Sequence, residues 1–151
     1  MSELLVIIQI AGRRCALSAH DVKSVIELGA ITPVPRAPDF ITGITALRSQ
    51  TLTVIDCRRA LGLVTADDTP TDDRAAVVAS GGHAYALMVD AIEDITTATG
   101  MPGPVPGGFG PEWSRVARGM IETMTGPALL VDLAALIAGP EAVRSEIEVA
   151  A

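Results

Sequence analysis

Aromatic side chains are scarce in this sequence: two Phe, one Tyr and one Trp among 151 residues. Any core therefore has to be aliphatic, built from Val, Ile, Leu, Ala and Met. Lys23 is the only lysine, and the other basic residues are arginines scattered singly or in pairs. Without a row of positive charge to neutralise phosphates, nucleic acid and anionic membranes are poor partners. The two histidines, His20 and His83, lie far apart with no further ligand at metal spacing, so neither a zinc site nor any other metal site is expected. Two cysteines, Cys15 and Cys57, are too few for a disulfide framework and read as buried, reduced thiols. No apolar run approaches the roughly 18 residues of a membrane helix. The run Leu4–Ile8 is too short for a secretory signal and no basic segment precedes it. The expectation is a cytoplasmic protein with no direct membrane insertion. Phosphate-loop chemistry is excluded too, because the stretch Gly103–Gly110 is not followed by Gly-Lys-Ser/Thr. No cofactor is expected.

What the sequence does contain is hydrophobic residues, 49% against 19% charged, with a net charge of −7. That balance belongs to a folded chain, either one compact domain or two very small ones. Strand-like segments follow one another: Leu4–Ile10, Arg13–Leu17, Val22–Leu28, Phe40–Leu47, Leu52–Ile55, Ala75–Ala79, Ala84–Val89, Ile92–Ile95, Val116–Thr123 and Ala128–Val131. Ser18–Lys23 is expected to form a single helical turn. Asp56 and Asp132 each precede a short apolar helix as acidic N-caps, with Gly62 as a stop for the first. Pro33, Pro35 and Pro38 enforce an extended connector. Gly100–Pro111 reads as an irregular loop, and Val64–Asp73 as a polar linker.

The two halves repeat each other. Adding 70 carries Cys15-Ala16-Leu17 to Tyr85-Ala86-Leu87, Val22 to Ile92, Val25 to Ile95 and Gly12 to Gly82. Adding 76 carries Gly43-Ile44 to Gly119-Met120 and Val54-Ile55-Asp56 to Leu130-Val131-Asp132. Five short strands per half suit a small closed barrel, since closure removes exposed edges. The expected fold is all-β, two five-stranded barrels in tandem with short helices. The first barrel is placed at about 14–73 plus the N-terminal strand, and the second at about 74–138. Residues 139–151 are read as an acidic C-terminal helix or tail. Barrels this small are marginal alone, so a shared apolar seam is expected. One larger β-sandwich is the alternative.

Asp56 and Asp132, as a duplicated Asp, raise the alternative of a small aspartyl hydrolase. Both precede a helix, however, and neither is followed by Thr/Ser-Gly. A barrel with a small-ligand pocket is a further alternative.

Several segments resemble the CheW family of chemotaxis coupling proteins. They are Ile31-Thr32-Pro33-Val34-Pro35-Arg36-Ala37-Pro38, Phe40-Ile41-Thr42-Gly43-Ile44-Thr45-Ala46-Leu47-Arg48, Thr53-Val54-Ile55-Asp56-Cys57-Arg58, Ala86-Leu87-Met88-Val89-Asp90 and Leu129-Leu130-Val131-Asp132-Leu133. They run in the family's order from about residue 4 to 138. The resemblance implies SH3-like barrels and a non-catalytic adaptor. Such an adaptor joins the cytoplasmic tip of chemoreceptors to the regulatory domain of a CheA-type histidine kinase, within membrane-associated arrays. It implies receptor contacts at Val22, Ser24, Val25, Gly43, Arg48 and Ala86, and kinase contacts at Phe40, Thr42, Ile44 and Phe109. The chain departs from the pattern at Ala46, Ser49 and Ser24, where the family has Asn, Gly and an acid that can pair with the arginine. An adaptor for a non-chemotactic kinase pathway fits the same residues.

Overall fold

Two aliphatic strands joined by a tight Ala11-Gly12 turn open the chain, and they set its architecture. The computed structural model describes residues 3–63, 72–105, 107 and 109–140. Ten strands and three short helices follow in order: β1 (Leu4–Ile10), β2 (Arg13–Ser18), β3 (Val22–Glu27), β4 (Ile41–Leu47), β5 (Gln50–Asp56), α1 (Cys57–Leu61), β6 (Arg74–Ser80), β7 (His83–Met88), β8 (Ala91–Thr97), α2 (Pro111–Val116), β9 (Ala117–Thr123), β10 (Gly126–Val131) and α3 (Leu133–Ala138). They form two five-stranded sheets, ordered β8-β1-β2-β10-β9 and β3-β6-β7-β5-β4.

The repeat is present strand for strand, yet the sheets do not divide the chain at residue 73 as the sequence suggested. Each sheet takes the opening hairpin of one repeat and the last three strands of the other. The β1–β2 hairpin joins β8, β9 and β10, while β6–β7 joins β3, β4 and β5. The joints are equivalent in both sheets. β2 runs parallel to β10 (Cys15↔Leu129) and β7 parallel to β5 (Tyr85↔Thr53). The exchange corrects the expected boundary, and its cause is that hairpin signals are local and say nothing about which distant strand a hairpin joins.

Each sheet rolls until its edges meet through isolated bridges rather than a continuous ladder. Ala98, just past β8, bridges Thr123 of β9, and Thr32, past β3, bridges Ile44 of β4. Gly103 repeats the latter contact with Met120. Gly43 (φ +157°) and Gly119 (φ +151°) permit these approaches. A Cβ at Gly43 would overlap the Thr32 carbonyl oxygen, and one at Gly119 would lie 2.7 Å from that of Gly103.

Both faces of the hairpins are buried, which explains their near-continuous apolar sequences. Leu5, Ile7, Ala16, Ala128 and Leu130 fill the interior of one rolled sheet. Ala75, Val77, Ala86, Leu52 and Val54, their repeat equivalents, fill the other. Opposite side chains, including Val6, Ile8, Cys15, Leu17, Ala76, Val78 and Leu87, meet in one large core with Trp113, Leu133 and Leu136. This is the shared seam expected from the small size of the halves.

Two local expectations change. Residues 19–21 form a tight turn, with the Asp21 N–H donating to the Ser18 carbonyl at 3.0 Å, not a helical turn. Pro111 starts α2 where a loop was expected to end. Proline suits the first helical position because its missing N–H has no intrahelical acceptor there. The linker 64–71 and the tail 141–151 lie outside the described residues.

Candidate interaction groove

β3 and β8 are repeat equivalents, and each is an edge strand of its sheet. Each carries a register shift at the same place. On β3 it falls between Val22 and Ser24 against β6. On β8 it falls where Ile95 and Ile92 face Val6 and Ile8 of β1. A bulge adds one residue and breaks the in–out alternation, re-aiming the side chains that follow. Three consecutive residues therefore face outward on each strand, Lys23–Val25 and Glu93–Ile95. Val25 is 41% exposed and Ile95 66%.

Between these strands lies an open groove of about 500 Å³, lined by apolar Val6, Ala19, Val22, Val25, Ile92 and Ile95 and by polar side chains from both walls. Arg74 and Asp72 brace its floor. Arg74 donates to the Asp72 carboxylate through Nε (3.0 Å) and Nη2 (2.9 Å), and Nη2 reaches the Ile92 carbonyl at 3.1 Å. The Ile92 N–H in turn donates to Asp72 Oδ2 at 3.1 Å. β6, the neighbour of β3, is thereby tied to the backbone of β8, which fixes the separation of the walls. The Arg74 hydrogen bonds hold the Asp72 carboxyl well below the usual carboxylate range.

A second tie sits behind the groove. Arg58 of α1 reaches Asp90, just ahead of β8, through Nε at 2.7 Å and Nη2 at 2.6 Å. The other Asp90 oxygen accepts the Gly12 N–H at 2.8 Å. Burial pushes the Asp90 carboxyl up, but the donors from Arg58, Gly12 and Ala11 outweigh it and leave it lowered. One carboxylate thus joins α1, the β1–β2 turn and the start of β8.

The residues singled out from the sequence fall into distinct places. Val22, Ser24 and Val25 line the groove together. Gly43 is buried against the Thr32 bridge. Ala86 is fully buried inside its rolled sheet, where an apolar interior position holds it away from any partner. Phe40 is 3% exposed, with Gly139 closely over its ring, so it belongs to the core. Arg48 is exposed at the β4–β5 turn with φ +58°, and it is not among the groove-lining residues. Thr42 and Ile44 are half-buried on β4, an edge strand, and Thr42 Oγ1 lies 3.6 Å from Met88 Sδ. Phe109 stacks under the Arg13 guanidinium at 3.7 Å, with Trp113 at 5.1 Å, and packs on the shared core. Ile95, Glu93 and Asp94 did not emerge from the sequence as contact residues, although the offset of 70 that pairs Val25 with Ile95 was the available signal.

Asp56 and Asp132 are helix caps. Asp56 Oδ1 accepts from the Arg58 and Arg59 N–H groups (3.1 and 3.4 Å), and Asp132 Oδ1 accepts from Ala135 N–H (3.2 Å). Cys15 and Cys57 are free and buried. Burial pushes the Cys15 thiol up to about 12 and raises that of Cys57 as well. Among the described residues no group of three or more His, Cys, Asp and Glu could hold a metal ion, and no helix is long and apolar enough to cross a membrane.

Comparison with known proteins places these features in context. A family model described as the CheW-like domain matches residues 4–141. The probable chemotaxis protein CheW of Rhizobium etli is 31% identical over 126 residues, 80% of each chain. Protein FrzA of Myxococcus xanthus is 31% identical over 97 residues, 62% of this chain and 60% of that protein's length. Among solved structures, the scaffolding protein TtCheW from Thermoanaerobacter tengcongensis shares the fold. Its TM-score is 0.74 at 24% identity, covering 88% of this chain and 90% of that one.

Proposed function

Because the chain belongs to the CheW-like domain family, we propose that it is a non-catalytic adaptor, coupling chemoreceptor tips to the regulatory domain of a CheA-type histidine kinase. The groove is the observation that carries this reading. Two bulged edge strands turn Val22, Val25, Ile92 and Ile95 toward one open trough, the shape that receives the apolar stripe of a helix. Val22, Ser24 and Val25 then make receptor contacts, joined by Ile92 and Ile95, with Arg48 as a peripheral contact at its hairpin tip. The backbone at Gly43 supports the same sheet from within. Thr42 and Ile44, on the β4 edge, and Phe109, stacked on Arg13, are the candidate kinase contacts. Individual contacts of this kind are weak, and arrays gain strength from many of them. The protein works in the cytoplasm, recruited to membrane-associated arrays.

The test is binding of the purified protein to a receptor tip fragment and, separately, to a kinase regulatory domain. Ile95→Asp places a charge in the apolar trough without disturbing the core. It is expected to weaken receptor binding at least about tenfold, as truncation of an interface anchor does, while kinase binding is kept. Arg48→Ala is expected to have a smaller effect. Full receptor binding by Ile95→Asp would remove the groove from the mechanism. Binding only to kinases outside chemotaxis would reassign the pathway and leave the adaptor role standing.

A further inference from the structure

The groove is close to two-fold symmetric in shape and asymmetric in charge. The repeat pairs Val22 with Ile92 and Val25 with Ile95, and both bulges fall at the same point. A shape of this kind accepts a helix equally well in either direction. Between the apolar pairs, however, the β3 wall carries Lys23 and Ser24 where the β8 wall carries Glu93 and Asp94. All four are exposed. Among the described residues, Lys23 Nζ makes only a long contact to the His20 carbonyl, 3.4 Å. Glu93 Oε1 accepts from Gln9 at 3.1 Å, and Asp94 has no hydrogen-bond or ion-pair partner among the described residues. Arg74, the other ionised group lining the trough, is neutralised by its ion pair with Asp72. One rim is therefore basic and the other acidic.

A helix lying with its apolar stripe in the trough presents one flank to each wall, and turning it end for end exchanges the flanks. We propose that Lys23, Glu93 and Asp94 fix the direction in which the groove holds its helix, and that the occupant is an amphipathic helix with Lys/Arg along the flank over β8 and Asp/Glu along the flank over β3. This rests on the groove being the docking site and adds to it a specificity that the apolar residues cannot supply. Opposite charges across an interface set register and exclude the mismatched arrangement more than they add affinity.

The experiment uses the full chain and one synthetic helical peptide, with a leucine stripe, lysines on one flank, glutamates on the other and a spin label at its N-terminus. NMR broadening of protein amides reports which end of the groove the label occupies. The wild-type protein is expected to show broadening at one end only. Lys23→Glu combined with Glu93→Lys and Asp94→Lys is expected to move the broadening to the opposite end with little change in affinity. Asp94→Lys alone disturbs no hydrogen bond or ion pair among the described residues and is expected to weaken binding by roughly threefold at low salt, the range of exposed ion pairs, with the difference vanishing at high salt. Broadening at both ends in the wild type, or at an unchanged end after charge exchange, overturns the directional role. If binding is then still lost in Ile95→Asp, the docking reading survives; peptide binding unaffected by Ile95→Asp defeats both.

Discussion

Replacing Asp90 by Ala should destabilise the protein strongly. The substitution leaves the Arg58 guanidinium, whose side chain is 9% exposed, without its counter-charge, and strips the Gly12 N–H of its acceptor. Removing one partner of a buried pair costs about 3–5 kcal/mol. The 14% exposure of Asp90 lets water reach the site, so the lower end, about 3 kcal/mol, applies. With a urea m-value of about 2 kcal/mol/M, the unfolding midpoint should fall by roughly 1.5 M. Arg58→Leu alone should cost less, because Asp90 keeps the Gly12 donor and its edge of solvent. The double variant should lose less stability than the sum of the two single losses, by a coupling on the order of 2 kcal/mol. Urea denaturation of the four proteins, followed by Trp113 fluorescence, measures the cycle. An Asp90→Ala loss below about 0.5 kcal/mol, or strict additivity, would show that the tie between α1, the β1–β2 turn and β8 contributes nothing beyond its solvated alternatives.

Gly43→Ala and Gly119→Ala should each lower the melting temperature by several degrees, Gly43→Ala by more, because its Cβ meets the Thr32 carbonyl more closely than the Gly119 Cβ meets Gly103; equal melting curves would contradict the bridge geometry. Cys15 and Cys57 should resist a thiol reagent at pH 8 in the native protein and react at once in urea, since both are fully buried and their thiols are raised in pKa; rapid native labelling would refute that placement. Asp72 and Asp90 are both lowered in the folded state, so the unfolded chain binds protons more tightly at these sites and stability rises with pH. Their contribution should be complete above the ordinary Asp value near 3.8 and be lost as pH falls through the lowered folded-state values. Urea midpoints that fail to drop in acid, or an Asp90→Asn variant with the same acid dependence as the wild type, would contradict this.

Much of the fold was legible because the chain states it twice. The turns at Ala11-Gly12 and Gly81-Gly82, and the caps at Asp56 and Asp132, are local signals, and the offsets of 70 and 76 align them. The pairing of β2 with β10 and of β7 with β5 was not legible, since exchanging the hairpins leaves every local pattern unchanged. α2 was missed because Pro111 closes a proline-rich stretch and also opens a helix. At the groove, Val22, Ser24 and Val25 came through the family resemblance. Ala86 and Phe40 did not keep their expected exposure, because a strand residue's side depends on register and on the roll of the sheet. The outward turn of Glu93–Ile95 follows from a bulge, and one inserted residue leaves no mark in composition or periodicity.

The exchange of hairpins also orders events in time. As the chain leaves the ribosome, Cys15 has no lateral neighbour on one side until Leu129 has been made, and Val54 waits for Ala86. Of the two sheets, the one holding β3 through β7 can be completed first, while the earliest hairpin stands by with an apolar, unpaired flank. Synthesis therefore carries a window of vulnerability whose length is set by topology rather than by the strength of any contact. Severing the chain between the repeats would leave each piece lacking a hairpin that only the other can lend.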